Sequence, residues 1–243
     1  MLDVTKIQLI DDLRSSPQAP KTSLNIAEEV AVTMEEARLY GIELDKGQVK
    51  ENLEVAGERA SASNSFGRIA FSLPPKLFTV AEAIAAANKL NPNKLTYVET
   101  NSLLRLADEA NSRQCAGIRL LPFATNGYGR DPLGHFCYEH QDTQISMFEK
   151  AKAKFEAANP GFELELATVQ EIISAWIRHL LKHEGGDQVY DKGWYRTTIF
   201  VPGGDASRRL FVVSDGGRLG LGWCEDLVAN ACDSLALSAG EKI

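Results

Sequence analysis

The most regular hydrophobic pattern begins at residue 169. Val169, Ile172, Ile173, Trp176, Ile177, Leu180 and Leu181 follow an i, i+3, i+4, i+7 series, which puts them on one broad face of a helix. Thr168 stands three residues before Glu171, so a capping box is expected to start this helix. Gly185-Gly186 is expected to stop it. Arg178 and Lys182 fall opposite the apolar face. Segments 195–201, 210–214 and 219–223 then turn rich in β-branched and aromatic residues, separated by Pro202-Gly203-Gly204-Asp205 and by Asp215-Gly216-Gly217. They predict a three-stranded antiparallel meander packed on the helix, and together these elements are expected to centre the core.

Upstream, Ile7, Leu9, Ile10 and Leu13 suggest a short helix over 5–14, followed by a proline-containing loop at 15–21. Residues 24–40 place Ile26, Val30, Met34 and Ala37 on one side of a second helix, with Glu28, Glu29, Glu35 and Glu36 elsewhere. Gly41 is a natural residue to end it. A further helix over 46–60 completes an acidic helical hairpin, expected to stand as an arm over residues 1–60. The small polar stretch 60–67 reads as linker. A short strand is expected at 69–73, so 61–77 forms the connection to a main domain at 78–243.

Two more capping boxes follow. Thr79 with Glu82 opens a helix through residue 90, and Thr96 with Glu99 opens one through residue 112. A short buried strand at 118–121 leads to a Gly- and Asn-rich loop over 125–134. A helix at 142–158 is stopped by Asn159-Pro160-Gly161, and a strand at 162–166 follows. The chain is expected to close with a short helix at 227–237 and a frayed tail. Helices outnumber strands and the strands cluster late. The fold class expected is therefore α+β, mostly helical, with a small C-terminal antiparallel sheet.

Charge narrows the partners. The 243 residues carry a net charge of −7, and such a surface repels phosphate backbones and anionic lipid. Direct nucleic-acid binding and membrane binding are disfavoured. A helix-turn-helix reading of the hairpin fails for the same reason, because its second helix reads Lys50-Glu51-Asn52-Leu53-Glu54. The segment Met1-Leu2-Asp3-Val4 has neither a basic nor an apolar region of the secretory type. Cys115, Cys137, Cys224 and Cys232 form no Cys-x-x-Cys and are expected to be reduced. The expected compartment is the cytoplasm, or a host cytoplasm for a delivered or virus-encoded protein.

Chemistry is concentrated in two histidine clusters, His135-Phe136-Cys137-Tyr138-Glu139-His140 and His179-Leu180-Leu181-Lys182-His183-Glu184. His179 and His183 sit one helical turn apart, His183 inside the apolar arc and His179 at its edge. A histidine pair at i, i+4 can bind zinc when a third ligand joins it. His135, Cys137 or His140 could supply that ligand if their loop folds against the helix. Neither cluster has zinc-finger or zincin spacing, and boundary histidines on a core helix are the commoner arrangement. Tyr128, Arg130 and Asp131 lie in the Gly-rich loop before the first cluster and are the candidate ligand-binding residues. No phosphate loop and no Gly-x-Ser-x-Gly nucleophile elbow occurs.

The expectation is a non-enzymatic accessory or inhibitory protein acting by protein–protein interaction. Glu28, Glu29, Glu35 and Glu36 on the helical arm would meet a partner with a basic surface, or the arm would form a homo-oligomer contact. No cofactor is required by this reading. The alternative is a zinc-dependent hydrolase built from the 135–140 and 179–183 histidines, with Glu139 or Glu184 as base.

Overall fold

The computed structural model describes residues 25–62, 68–91, 97–98, 117–123, 130–131, 134–135, 141–182, 193–200, 208–215, 218–225, 233–235 and 237–241. The expected helix at 5–14 and most of the expected turns lie outside these residues.

Five helices occur among the described residues: α1 (Ile26–Leu39), α2 (Lys46–Ala62), α3 (Val80–Leu90), α4 (Gln141–Ala158) and α5 (Val169–Lys182). Their ends follow the local chemistry. In α3, Glu82 N–H donates to Thr79 Oγ1 at 3.1 Å, and Thr79 N–H donates to Glu82 Oε2 at 2.7 Å. The α5 box is built in the same way from Thr168 and Glu171, at 3.1 and 2.7 Å. Beyond α1, Gly41 adopts φ +73°. Its N–H donates to Arg38 O at 3.1 Å, and Ile42 N–H donates to Ala37 O at 2.9 Å. These are the two bonds of a Schellman ending, which favours glycine at that position. After α4, Gly161 also has positive φ, +92°, in a turn where Phe162 N–H donates to Asn159 O at 3.1 Å.

The strands are β1 (Arg68–Ser72), β2 (Tyr97–Val98), β3 (Arg119–Phe123), β4 (Arg130–Asp131), β5 (Gly134–His135), β6 (Phe162–Leu166), β7 (Gly193–Phe200), β8 (Arg208–Asp215), β9 (Arg218–Glu225), β10 (Asp233–Leu235) and β11 (Leu237–Glu241). One sheet has the order β1-β3-β11-β6, all antiparallel. A second has the order β10-β7-β8-β9-β2. Within it β7 pairs antiparallel with β8, and β8 with β9, down to Asp215 opposite Arg218. The outer strands β10 and β2 run parallel to their neighbours. Strands β4 and β5 form a separate two-stranded hairpin. The class is α+β, and helices contribute more of the described residues than strands do.

Three expectations are corrected here. Tyr97 and Val98 pair with Gly220 and Leu221 as strand, so the helix expected from the Thr96–Glu99 box does not start there. An aromatic and a β-branched residue suit a sheet edge, and the sheet overrides the cap signal. The expected helix at 227–237 ends in strand instead, because Asp233–Leu235 pairs with β7. The expected frayed tail is β11, which lies between β3 and β6 with Ala239 opposite both Leu120 and Leu164. Its partners are remote in sequence, so no local pattern marks it.

Helix α5 is central, but its main sheet contacts are β1 and β3 of the four-stranded sheet, with α1 and α3 beside it and a smaller contact to β8. One hydrophobic cluster runs from Val30 and Leu53 through Phe71, Leu121 and Leu164 to Ile172, Ile177 and Leu221. The helices expected to form a separate arm contribute to this core: Val30, Ala37, Val49, Leu53 and Ala56 are all buried. No helix among the described residues is long and apolar enough to cross a membrane.

Candidate functional site

The main constellation of charge lies on the side of α5 expected to face water. Every residue from Val169 to Arg178 is buried, including Gln170, Glu171, Ser174 and Arg178. The polar face is covered because α1 brings a matching polar stripe. Glu29, Thr33, Glu36 and Tyr40 recur at i, i+4, i+7 and i+11 and share one side of α1. Ser174, Arg178 and Lys182 recur at i, i+4 and i+8 on α5. The two helices meet polar stripe to polar stripe.

Arg178 is the hub. Its Nη2 donates to Glu29 Oε2 at 2.9 Å, and its Nη1 donates to Thr33 Oγ1. Lys182 Nζ donates to the other Glu29 oxygen. The guanidinium carbon lies 5.8 Å from the centre of the Phe71 ring, within cation–π range. Glu36 is served less well. Tyr40 Oη donates to its Oε1 at 3.0 Å, while its Oε2 lies 3.7 Å from Arg178 Nη1 and has no hydrogen-bond partner. Burial pushes the Glu36 carboxyl up to about 7, against the opposing pull of Arg178, Ser174 and Tyr40. Burial also drives the Tyr40 phenol well above its usual value, with Glu36 adding to the effect. Tyr40 in turn stacks on Phe78, ring centres 4.4 Å apart.

A second buried cluster ties sheet to helix. Arg119 of β3 donates from Nε to Glu171 Oε1 at 3.2 Å and from Nη2 to Glu165 Oε2 at 2.6 Å. Glu171 therefore caps α5 with one oxygen and holds Arg119 with the other. Both clusters match buried charge with buried charge, and removing either partner would leave the other stranded in low dielectric.

The expected partner-binding glutamates divide into two pairs. Glu29 and Glu36 are buried in the seam and give a partner no surface, which corrects their expected role. Glu28 is exposed. Glu35 is bound by Arg38 at 2.6 Å, and that hydrogen bond holds its carboxyl below the usual value. In the expected ligand loop, Arg130 pairs with His135 and Asp131 with Gly134 across the β4–β5 hairpin; Tyr128 lies outside the described residues. Of the expected zinc ligands, His179 is half-buried near the end of α5. Cys137, His140, His183 and the side chain of His135 lie outside the described residues. Among the described residues, no three His, Cys, Asp or Glu groups are arranged to hold a metal ion.

Sequence reasoning missed the seam. Its signal was present as two complementary polar stripes, one acidic and one basic, each at helical spacing. No protein-family model, curated protein or solved structure matches the chain.

Proposed function

We propose that the protein is a non-catalytic accessory or inhibitory factor that binds another protein through the outward face of the α1–α2 helix pair. The observation that supports this reading is the acidic row on α2. Glu51, Glu54 and Glu58 are exposed there, and they surround Val55, which is 37% exposed. On the same helix Val49, Leu53 and Ala56 are buried and hold that face rigidly outward. Lys50 and Glu54 form a solvated pair at 3.6 Å. An apolar spot ringed by carboxylates suits a partner surface that is basic around a small hydrophobic patch.

The test is capture of partners from the native context by the full chain and by a Glu51→Lys, Val55→Asp, Glu58→Lys variant. Circular dichroism would show that α2 survives the changes. Loss of capture in the variant, and weakening of wild-type capture by added salt, are expected. Unchanged capture would overturn the proposal. Stoichiometric zinc in the purified full chain would also count against it, and would favour the hydrolase alternative.

A further inference from the structure

We propose that docking of α1 on α5 is proton-linked: Glu36 enters the closed seam as a neutral acid, and the α1–α2 pair loosens as that carboxyl ionises. The inference stands apart from the partner-binding reading and rests on how donors are distributed in the seam. Two carboxylates and two cations are present, but both cations hydrogen-bond Glu29, and Arg178 reaches Glu36 only as an ion pair at 3.7 Å. The Arg178 Nη1 that donates to Thr33 stands 3.7 Å from Glu36 Oε2, an ion-pair distance too long for a hydrogen bond. The Ser174 hydroxyl accepts Leu73 N–H at 2.9 Å and keeps its own proton, whose pull towards the Glu36 carboxylate is outweighed by burial. Glu36 is left with the Tyr40 hydroxyl on one oxygen and no hydrogen-bond partner on the other.

Around Glu36, helix α1 supplies Glu29, Thr33 and Tyr40. Helix α5 supplies Ser174, Arg178 and Lys182. Strand β1 brings the Phe71 ring against the Arg178 guanidinium, and its Ser72 is buried. A carboxylate in that setting lacks the donors needed to replace its hydration, and a carboxylic acid does not. Opening the seam returns Glu36 to water, where it ionises in the ordinary carboxylate range. Its closed-state value is raised, so closure is fully favoured below the ordinary range and weakens as pH rises through about 7. The other charged and hydroxyl groups of the seam regain water on opening. Lys182 already reaches the surface.

Hydrogen exchange of the full chain, read by mass spectrometry and corrected for the intrinsic rate at each pH, tests this directly. Protection of the 26–39 amides is expected to fall by about tenfold or more between about pH 5 and about pH 8.5 and to stay below that of β3 and β6 at every pH. Glu36→Gln, which mimics the neutral acid, should make the α1 profile flat. A flat wild-type profile would overturn the proposal, as would α1 amides protected as strongly as those of the sheet at high pH or an undiminished slope in E36Q. If E36Q does not fold, carbon-13 carboxyl shifts of wild-type glutamates decide the matter. One glutamate should titrate near neutrality, and none doing so would overturn it.

Discussion

Arg178 and Glu29 lie 149 positions apart in the chain and meet inside the core at 2.9 Å. The side chains of both are almost wholly removed from solvent, at 3% and 5% exposure. The pair joins the helix nearest the start of the described chain to the one at the centre of the fold. Each member is needed because the other is buried.

Arg178→Leu should therefore destabilise the protein by about 3–5 kcal/mol, since it leaves the buried Glu29 carboxylate with Lys182 alone and removes the donor to Thr33. Replacing the whole set, with Glu29→Leu and Glu36→Leu added, should recover much of that loss, because a packed apolar seam carries no desolvation penalty. Urea denaturation of the single and triple variants gives the comparison. A single variant as stable as wild type would mean that the seam is hydrated in solution.

The Glu36 carboxyl sets a pH dependence with a definite sign. Its folded-state value, about 7, is above the ordinary 4.5. The stability it contributes is complete below about 4.5 and is lost as pH rises to about 7, a span worth about 3 kcal/mol. The difference in unfolding free energy between wild type and Glu36→Gln should shift against the wild type across that window and level off above it. A constant difference from pH 4 to 8 would show that Glu36 keeps its ordinary value in the fold.

Gly41 offers a smaller and cleaner test. Nothing lies within 4 Å of where its Cβ would stand, so Gly41→Ala introduces no clash. The cost comes only from the positive φ, about 1 kcal/mol. A thermal midpoint unchanged or raised by this substitution would mean that the Schellman ending of α1 is not kept.

What could be read from sequence was what neighbouring residues decide among themselves. The Thr79–Glu82 and Thr168–Glu171 boxes, the stop at Gly41 and the turn through Gly161 each need only a few consecutive side chains. Tyr97-Val98 and 233–241 were misread because their strand partners lie more than 35 residues away in each case where β2 meets β9 or β11 meets β3 and β6. The glutamates of α1 look like surface in sequence because a charged residue on a helix usually is solvated. Only the matching Ser174–Arg178–Lys182 stripe could have indicated that Glu29 and Glu36 turn inward. Most of the histidine constellation lies outside the described residues, and the structure adds only the position of His179 and the pairing of Arg130 with His135.

The four-stranded sheet depends on the end of the chain. Strand β11 is the only described strand that pairs with both β3 and β6, and it follows β10 of the other sheet in sequence. Deleting 237–243 would leave β3 and β6 without their shared neighbour, with the Arg119–Glu165 ion pair between them. A point substitution separates strand loss from chain shortening. Ala239 is paired on both sides, so Ala239→Pro removes a ladder hydrogen bond from a central strand and should cost about 3 kcal/mol or more. Ala239→Val keeps the ladder and suits a strand, and should be tolerated better than proline by well over 1 kcal/mol. Equal stability of the two variants in urea would mean that 237–241 does not occupy the slot between β3 and β6, and the sheet order itself would have to be redrawn.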